Sequence, residues 1–196
     1  MSKSDASAMK KERIKKIRWV AIIFFATIFI SGMISFVSEE VMDNSSMGVA
    51  FVILLMIVFL GIAFDIIGVA VTSADEKPFH SMAARKMPGA QEAIKLLRNA
   101  ERVSSICNDV IGDICGVVSG SAAATITAQI LTNFTFTWPR MIMLMMSALV
   151  AGLTVGGKAI GKTFAINSCT KIIYQVGKMI WRLRRLVPRG RKKNNR

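Results

Sequence analysis

Residues 52–60 read VILLMIVFL, nine consecutive apolar side chains with no charge and no turn residue. The apolar stretch around them extends from about Met47 to Ser73. At 1.5 Å per helical residue, this stretch is long enough to cross about 30 Å of hydrocarbon. Three more stretches have a comparable length, at about residues 17–38, 106–131 and 141–167. The sequence therefore predicts an all-α fold, a polytopic membrane helix bundle with four spans.

The composition supports this class of protein. Of the 196 residues, 53% are apolar, and the net charge of +14 lies almost wholly between the apolar stretches. Such a basic excess can indicate nucleic acid, anionic lipid or cytoplasmic loops. Because the four stretches leave no folded soluble domain to dock a duplex, we expect no nucleic-acid partner. The first stretch is longer than the apolar part of a signal peptide, so we interpret it as a retained span.

The charges of the loops predict the orientation. Residues 1–18 hold seven Lys and Arg, the loop after the first span holds none, and the following loop is basic again. Since Lys and Arg favour the cytoplasmic side, the N and C termini are expected in the cytoplasm, with the spans in the cell (plasma) membrane. The predicted organisation is a basic N-terminus at 1–16, a membrane domain at 17–186 and a basic tail at 187–196.

Two cytoplasmic segments have amphipathic patterns. Residues 90–104 and residues 170–186 both place apolar side chains at helical spacing among Lys and Arg. They predict juxtamembrane helices at about 76–104 and 168–186. Helices of this kind lie at the membrane surface and favour anionic lipid, so the predicted partner is the inner leaflet. Helices that are simply solvated are the alternative.

Charged residues inside the spans are the most informative feature. An intramembrane charge costs at least about 2.5–3.5 kcal/mol, so such residues usually face the bundle interior. At about 100° per residue, each span carries its charges on a stripe of small and polar residues. The rise per residue places these charges in the cytoplasmic half of the bundle. The charged residues within the predicted spans are Asp65, Asp109, Asp113, Lys158 and Lys162.

The residues alone leave two interpretations open. In the structural one, Gly112, Gly116 and Gly120 form a helix-packing seam and Lys158 neutralises an aspartate. In the functional one, carboxylate, amide and hydroxyl oxygens form a hard site suited to Mg²⁺. The candidate ligands are Asp65, Thr72, Asn108, Asp109 and Asp113.

Four short motifs of the chain resemble the transmembrane domain of the cyclin-M/CorB/CorC family of Mg²⁺ transporters. Residues 64–73 read FDIIGVAVTS, residues 89–102 read GAQEAIKLLRNAER, residues 107–112 read CNDVIG and residues 157–162 read GKAIGK. The family has a span ending in F-S-x-S-E-T-A-L-T-S, a belt with G-A-x-x-A-x-x-L-L, a G-N-x-x-x-N span and a closing G-E-x-x-P-K. The similarity in order and spacing extends over about residues 64–186.

The resemblance implies a homodimeric membrane domain that transports Mg²⁺ or Co²⁺ across the cell membrane, with Mg²⁺ as the bound or transported ion. Several positions differ from the family. Lys158 stands in place of a glutamate, Gly112 in place of the second asparagine and Gly161 in place of the proline, and the serines and glutamate of the second span are replaced around Ile67 and Gly68. The sequence contains no counterpart of the family's nucleotide-binding CBS pair, so the resemblance covers the membrane part. These differences favour an alternative, a non-transporting membrane partner or regulator with the same scaffold.

An intramembrane aspartyl protease is a third hypothesis, because two carboxylates can share general acid and base roles. The Phe64-Asp65 and Gly112-Asp113 pairs loosely resemble the Tyr-Asp and Gly-x-Gly-Asp motifs of such enzymes. Phe64 in place of tyrosine, and four spans, argue against it. We therefore expect no enzymatic activity.

Overall fold

A computed structural model of the chain describes residues 3–43, 45–134 and 137–186. Helices account for almost all of these residues, and this part of the chain contains no strand. The predicted all-α membrane helix bundle is confirmed. In chain order the elements are α1 (Lys3–Asp43), α2 (Met47–Ser73), α3 (Lys77–Ala84), α4 (Ala90–Arg98), α5 (Ala100–Ser105), a π-helical segment (Ile106–Gly112), α6 (Asp113–Asn133), α7 (Pro139–Asn167) and α8 (Cys169–Leu186).

Four helical stretches are long and apolar enough to cross a membrane: Ile17–Ser38, Met47–Ser73, Ala100–Asn133 and Pro139–Asn167. The protein is therefore a multi-pass membrane protein. Many large apolar side chains on these helices are exposed at the surface of the chain, as a lipid environment allows and water does not. Examples are Ile22, Phe25, Met145, Leu149 and Ile160.

The third span begins earlier than the sequence predicts. The predicted span is 106–131, whereas the helical stretch runs from Ala100 to Asn133. The helix is interrupted at Asn99, where a φ of −117° ends α4. Helix α5 then continues directly into the π-helical segment. The helical stretch that carries the third span thus includes the polar residues before Ile106.

The cytoplasmic stretch predicted at 76–104 contains three short helices. Between α3 and α4 the chain turns through Lys86, with φ 55°, and Gly89, with φ 89°. Glycine adopts this left-handed conformation without the steric cost of a side chain, so Gly89 suits the start of α4. Pro88 precedes it and cannot donate a backbone hydrogen bond, which helps to separate the two helices.

The chain divides into two compact units. The first combines the residues up to Gly61 with Asp113–Leu153, and the second combines Ile62–Gly112 with the residues from Thr154 onward. In the first unit α1 packs against α6, whose buried side chains include Val118 and Ile126.

The second unit has a cluster of buried side chains on α2, α3, α4, α7 and α8. Phe79 and Ile173 are fully buried there. The helices α4 and α8 cross closely, because a Cβ built on Gly177 would lie 2.5 Å from the carbonyl oxygen of Gly89 and 3.0 Å from the backbone nitrogen of Ala93. This packing fixes α3, α4 and α8 relative to the membrane segments of the same unit.

Candidate functional site

An ion pair inside predicted membrane spans is the centre of the candidate site. Asp65 lies on α2 and Lys158 on α7, and the Lys158 Nζ is 3.6 Å from the Asp65 Oδ1. Both residues belong to the second unit. The side chains are 26% exposed for Lys158 and 18% exposed for Asp65, so the pair is mostly but not wholly covered. The sequence identified both charges as candidates, and the structure brings them together.

Two glycines of α7 set the register of this pair. A Cβ on Gly161 would lie 2.8 Å from Cγ1 of Ile66, and the side chain of Ile62 occupies the corresponding space at Gly157. Isoleucines spaced four residues apart on α2 therefore pack onto glycines spaced four residues apart on α7, the small-xxx-small arrangement of close membrane helices. Because Asp65 precedes Ile66 and Lys158 follows Gly157, this packing places the carboxylate opposite the ammonium.

Gly112, the last residue of the π-helical segment, borders the same pair. A Cβ built on Gly112 would lie 3.4 Å from the Lys158 Nζ, 3.8 Å from the Asp65 Oδ1 and 3.3 Å from the carbonyl oxygen of Cys107. Gly112 is buried. Gly112 therefore leaves room for the charged side chains.

Asn108 provides a second oxygen next to α2. Its side chain occupies the position that a Cβ at residue 68 would take, so the contact requires glycine there. The Asn108 Nδ2 donates a hydrogen bond to the Ser104 Oγ at 3.4 Å, whereas its buried Oδ1 has no hydrogen-bond partner within the described residues. Gly68 lies three residues beyond Asp65, about 4.5 Å along the helix axis. The Asp65 carboxylate and the unpaired Asn108 Oδ1 thus lie within one helical turn of each other along the axis of α2.

The π-helical segment, Ile106–Gly112, is the feature that the sequence reading missed. It carries both Asn108 and Gly112. Helices with i→i+5 hydrogen bonds are rare and occur frequently at functional sites. The polar pair Asn108-Asp109 within a predicted span could have indicated this segment, but the pair is equally compatible with an α-helix.

The other predicted ligands have local partners. The Asp109 Oδ2 accepts a hydrogen bond from the Ser105 Oγ at 2.7 Å, and Asp109 is exposed. The Thr72 hydroxyl donates to the carbonyl oxygen of Val69 at 2.9 Å, and Thr72 is also exposed. The Asp109 carboxylate and the Thr72 hydroxyl therefore form hydrogen bonds within their own helical stretches.

The other two charged residues that the sequence predicts at the site are exposed. Asp113 opens α6 in the first unit, and Lys162 follows Lys158 by one turn of α7. A Cβ built on Gly116 or Gly120 would meet no atom of the described chain within 4 Å. Within this chain, the predicted glycine seam therefore has one buried member, Gly112, and two members that face open space.

Within residues 3–43, 45–134 and 137–186, no group of three or more His, Cys, Asp or Glu side chains could hold a metal ion. The oxygens near the ion pair are one carboxylate and one amide, both of the hard type that Mg²⁺ prefers. Mg²⁺ usually keeps several of its waters and takes one or two carboxylates, so a site of this composition fits the ion. No protein-family model, curated protein or solved structure matches this chain.

Proposed function

We propose that this chain transports divalent cations, Mg²⁺ or Co²⁺, across the cell membrane. The observation that carries the proposal is the Asp65 carboxylate inside a span, held by Lys158 at 3.6 Å and accompanied by the unpaired Asn108 Oδ1. In this proposal Asp65 and Asn108 are the protein ligands, and water completes the shell of the ion. The resemblance to the cyclin-M/CorB/CorC family indicates the same substrate.

The energetic cost of these groups supports a functional role. A charge within hydrocarbon costs at least about 2.5–3.5 kcal/mol, and a buried polar atom without a hydrogen bond costs roughly 1–3 kcal/mol. An apolar side chain at position 108 would remove the second cost, and apolar side chains at positions 65 and 158 together would remove the first, because Asp65 and Lys158 are paired. Groups that are expensive in the membrane usually mark an ion pathway.

The proposal includes an orientation and an assembly. The basic residues before the first span and after the second predict that both termini are cytoplasmic. A second copy of the chain is the proposed partner for the open face of α6 at Gly116 and Gly120, since small residues allow helices in membranes to approach closely. Asp113 lies at the start of this face, where an exposed carboxylate is unfavourable against lipid.

Uptake of Mg²⁺ into proteoliposomes that contain the purified protein tests the proposal. We expect Asp65→Asn and Asn108→Ala each to reduce the initial rate about tenfold or more, which corresponds to a loss of ~1.4 kcal/mol or more. Asp75→Asn is the matched control, because Asp75 is an exposed loop aspartate whose Oδ1 accepts a hydrogen bond from the backbone nitrogen of Lys77. Uptake that is unaffected by both site variants would refute the proposed ligands.

Lys158 favours a second candidate, the non-transporting partner or regulator. Its ammonium already balances the Asp65 carboxylate, as a purely structural ion pair would. This candidate predicts that wild-type liposomes take up no Mg²⁺ above the level of protein-free liposomes. It also predicts that Asp65→Asn destabilises the protein without any change in cation response.

A further inference from the structure

Two of the ion pairs within the described residues have very different geometry. In the cytoplasmic helices the Arg184 Nη1 donates a hydrogen bond of 2.6 Å to the Glu92 Oε1. In the membrane, the Lys158 Nζ and the Asp65 Oδ1 are 3.6 Å apart. Charge-assisted N–H···O bonds are typically about 2.7–2.9 Å long, so the membrane pair is an electrostatic contact without a formed hydrogen bond. An ammonium at this distance is held less tightly than the Arg184 guanidinium.

The Lys158 side chain is only partly enclosed. Gly112 of the π-helical segment lies opposite its ammonium, since a Cβ at that residue would be 3.4 Å from the Lys158 Nζ. The Lys158 side chain is 26% exposed. Its four-carbon stem is flexible and its head group is a compact point charge, unlike the planar fork of arginine.

We propose that Lys158 is a tethered cation that occupies the position beside Asp65 whenever no ion is bound, and that an incoming divalent ion must displace it. This inference rests on the proposed function, because it takes Asp65 as the ion ligand. In this view Lys158 determines ion selectivity. It touches the same carboxylate as the ion and competes with it directly.

The selectivity follows from charge and tethering. The Coulomb energy with Asp65 scales with the charge of its partner, so a divalent ion gains about twice the attraction of an ammonium at equal distance. A monovalent ion gains no such advantage. It must also compete with an ammonium whose tether gives it a high effective concentration at the site. Lys158 therefore excludes Na⁺ and K⁺ from the site, and it also weakens the binding of divalent ions.

The test is calorimetric titration of the purified full chain with MgCl₂, with and without excess NaCl, for the wild type and Lys158→Met. Methionine keeps an unbranched stem and removes the charge. We expect Mg²⁺ binding to tighten about tenfold or more in Lys158→Met. We also expect excess Na⁺ to compete in the variant but not in the wild type, beyond the ionic-strength effect seen with a large organic cation.

Three variants serve as controls. Lys77→Met removes an exposed lysine outside the spans and should leave Mg²⁺ binding unchanged. Lys158→Arg keeps a tethered charge and should retain the exclusion of Na⁺. If Lys158→Met does not yield folded protein, Lys158→Gln is titrated instead with the same expectations, because glutamine is neutral and can donate a hydrogen bond to Asp65.

The outcomes separate this inference from the proposed function. If the wild type does not bind Mg²⁺ but Lys158→Met does, and Asp65→Asn in that background abolishes the binding, the tethered cation is supported and transport by the wild type is refuted. If the wild type binds Mg²⁺ and Lys158→Met binds it with the same affinity and the same indifference to Na⁺, the inference is overturned and the proposed function stands. Absence of binding in both proteins would overturn both.

Discussion

The amide oxygen of Asn108 lies in the space that the Cβ of any residue other than glycine would occupy at position 68. This contact joins the π-helical segment, Ile106–Gly112, to the C-terminal half of α2. Position 68 therefore determines whether Asn108 can lie one helical turn from Asp65, and its substitution is the most direct test of the packing at the site.

We expect Gly68→Ala to lower the free energy of unfolding by about 1–3 kcal/mol, the usual cost of overpacking a fitted interior. Unfolding by SDS in mixed micelles measures this difference. The matched control is Gly48→Ala on the same helix, where a Cβ would meet no described atom within 4 Å. That change should be neutral or stabilising by up to ~1 kcal/mol, because alanine favours helices over glycine. Equal stabilities of the two variants would contradict the close approach of Asn108.

Gly177→Ala should loosen the packing of α4 on α8. The new Cβ would lie 2.5 Å from the carbonyl oxygen of Gly89, a backbone atom that cannot rotate away as a flexible side chain can. We expect faster amide hydrogen exchange in both helices, with a loss of about 1–3 kcal/mol in local stability. Gly156→Ala, at a position with no described atom within 4 Å of the new Cβ, is the control. Unchanged exchange in α4 would show that this crossing does not hold the helices together.

The hydrogen bond from Arg184 to Glu92 should be worth more than the contact of Lys95 with the same carboxylate. Glu92 is almost buried, and its Oε1 lies 2.6 Å from Arg184 but 3.3 Å from Lys95. A double-mutant cycle with Arg184→Met and Glu92→Gln should give a coupling of about 1 kcal/mol. The Lys95→Met cycle should give roughly 0.2–0.5 kcal/mol, as expected for an i,i+3 pair within one helix. A larger coupling for Lys95 would reverse this order.

The outer face of α8 should bind anionic lipid. Lys171, Lys178 and Arg182 follow one stripe of the helix by their spacing, and the exposed apolar side chains Met179 and Leu183 lie beside it. A basic stripe next to an apolar one suits the headgroup region of a membrane. Each basic residue near an anionic surface contributes about 1 kcal/mol of attraction.

Replacement of these three basic residues by glutamine should therefore reduce the number of phosphatidylglycerol molecules retained by the purified protein in native mass spectrometry. The control removes three positive charges from α3 and the loop that follows it, at Lys77, Arg85 and Lys86, where no adjoining apolar stripe is expected to enter the membrane. Equal loss of lipid from both triple variants would mean that net charge, and not the α8 surface, retains the lipid.

The apolar stretches are enough to predict the helical membrane fold, and the polar residues within them are enough to identify the groups that are unfavourable in the membrane. Four spans follow from the length of each apolar stretch, which is a local property and does not depend on the neighbours of a helix. Asp65, Asn108 and Lys158 stand out for a related reason, because polar groups are unfavourable in hydrocarbon wherever the helix that carries them lies.

Which of these groups come together follows from the packing of the helices against one another. The pairing of Asp65 with Lys158 depends on how α2 crosses α7, where Ile62 and Ile66 pack onto Gly157 and Gly161, and a pattern within one helix does not specify such a crossing. The π-helical segment has a similar consequence. A wheel of about 100° per residue places Asp109, Gly112 and Asp113 on one arc, yet Gly112 is buried whereas both aspartates are exposed. Local periodicity fails there because the i→i+5 hydrogen bonds of a π-helix change the angle between successive residues.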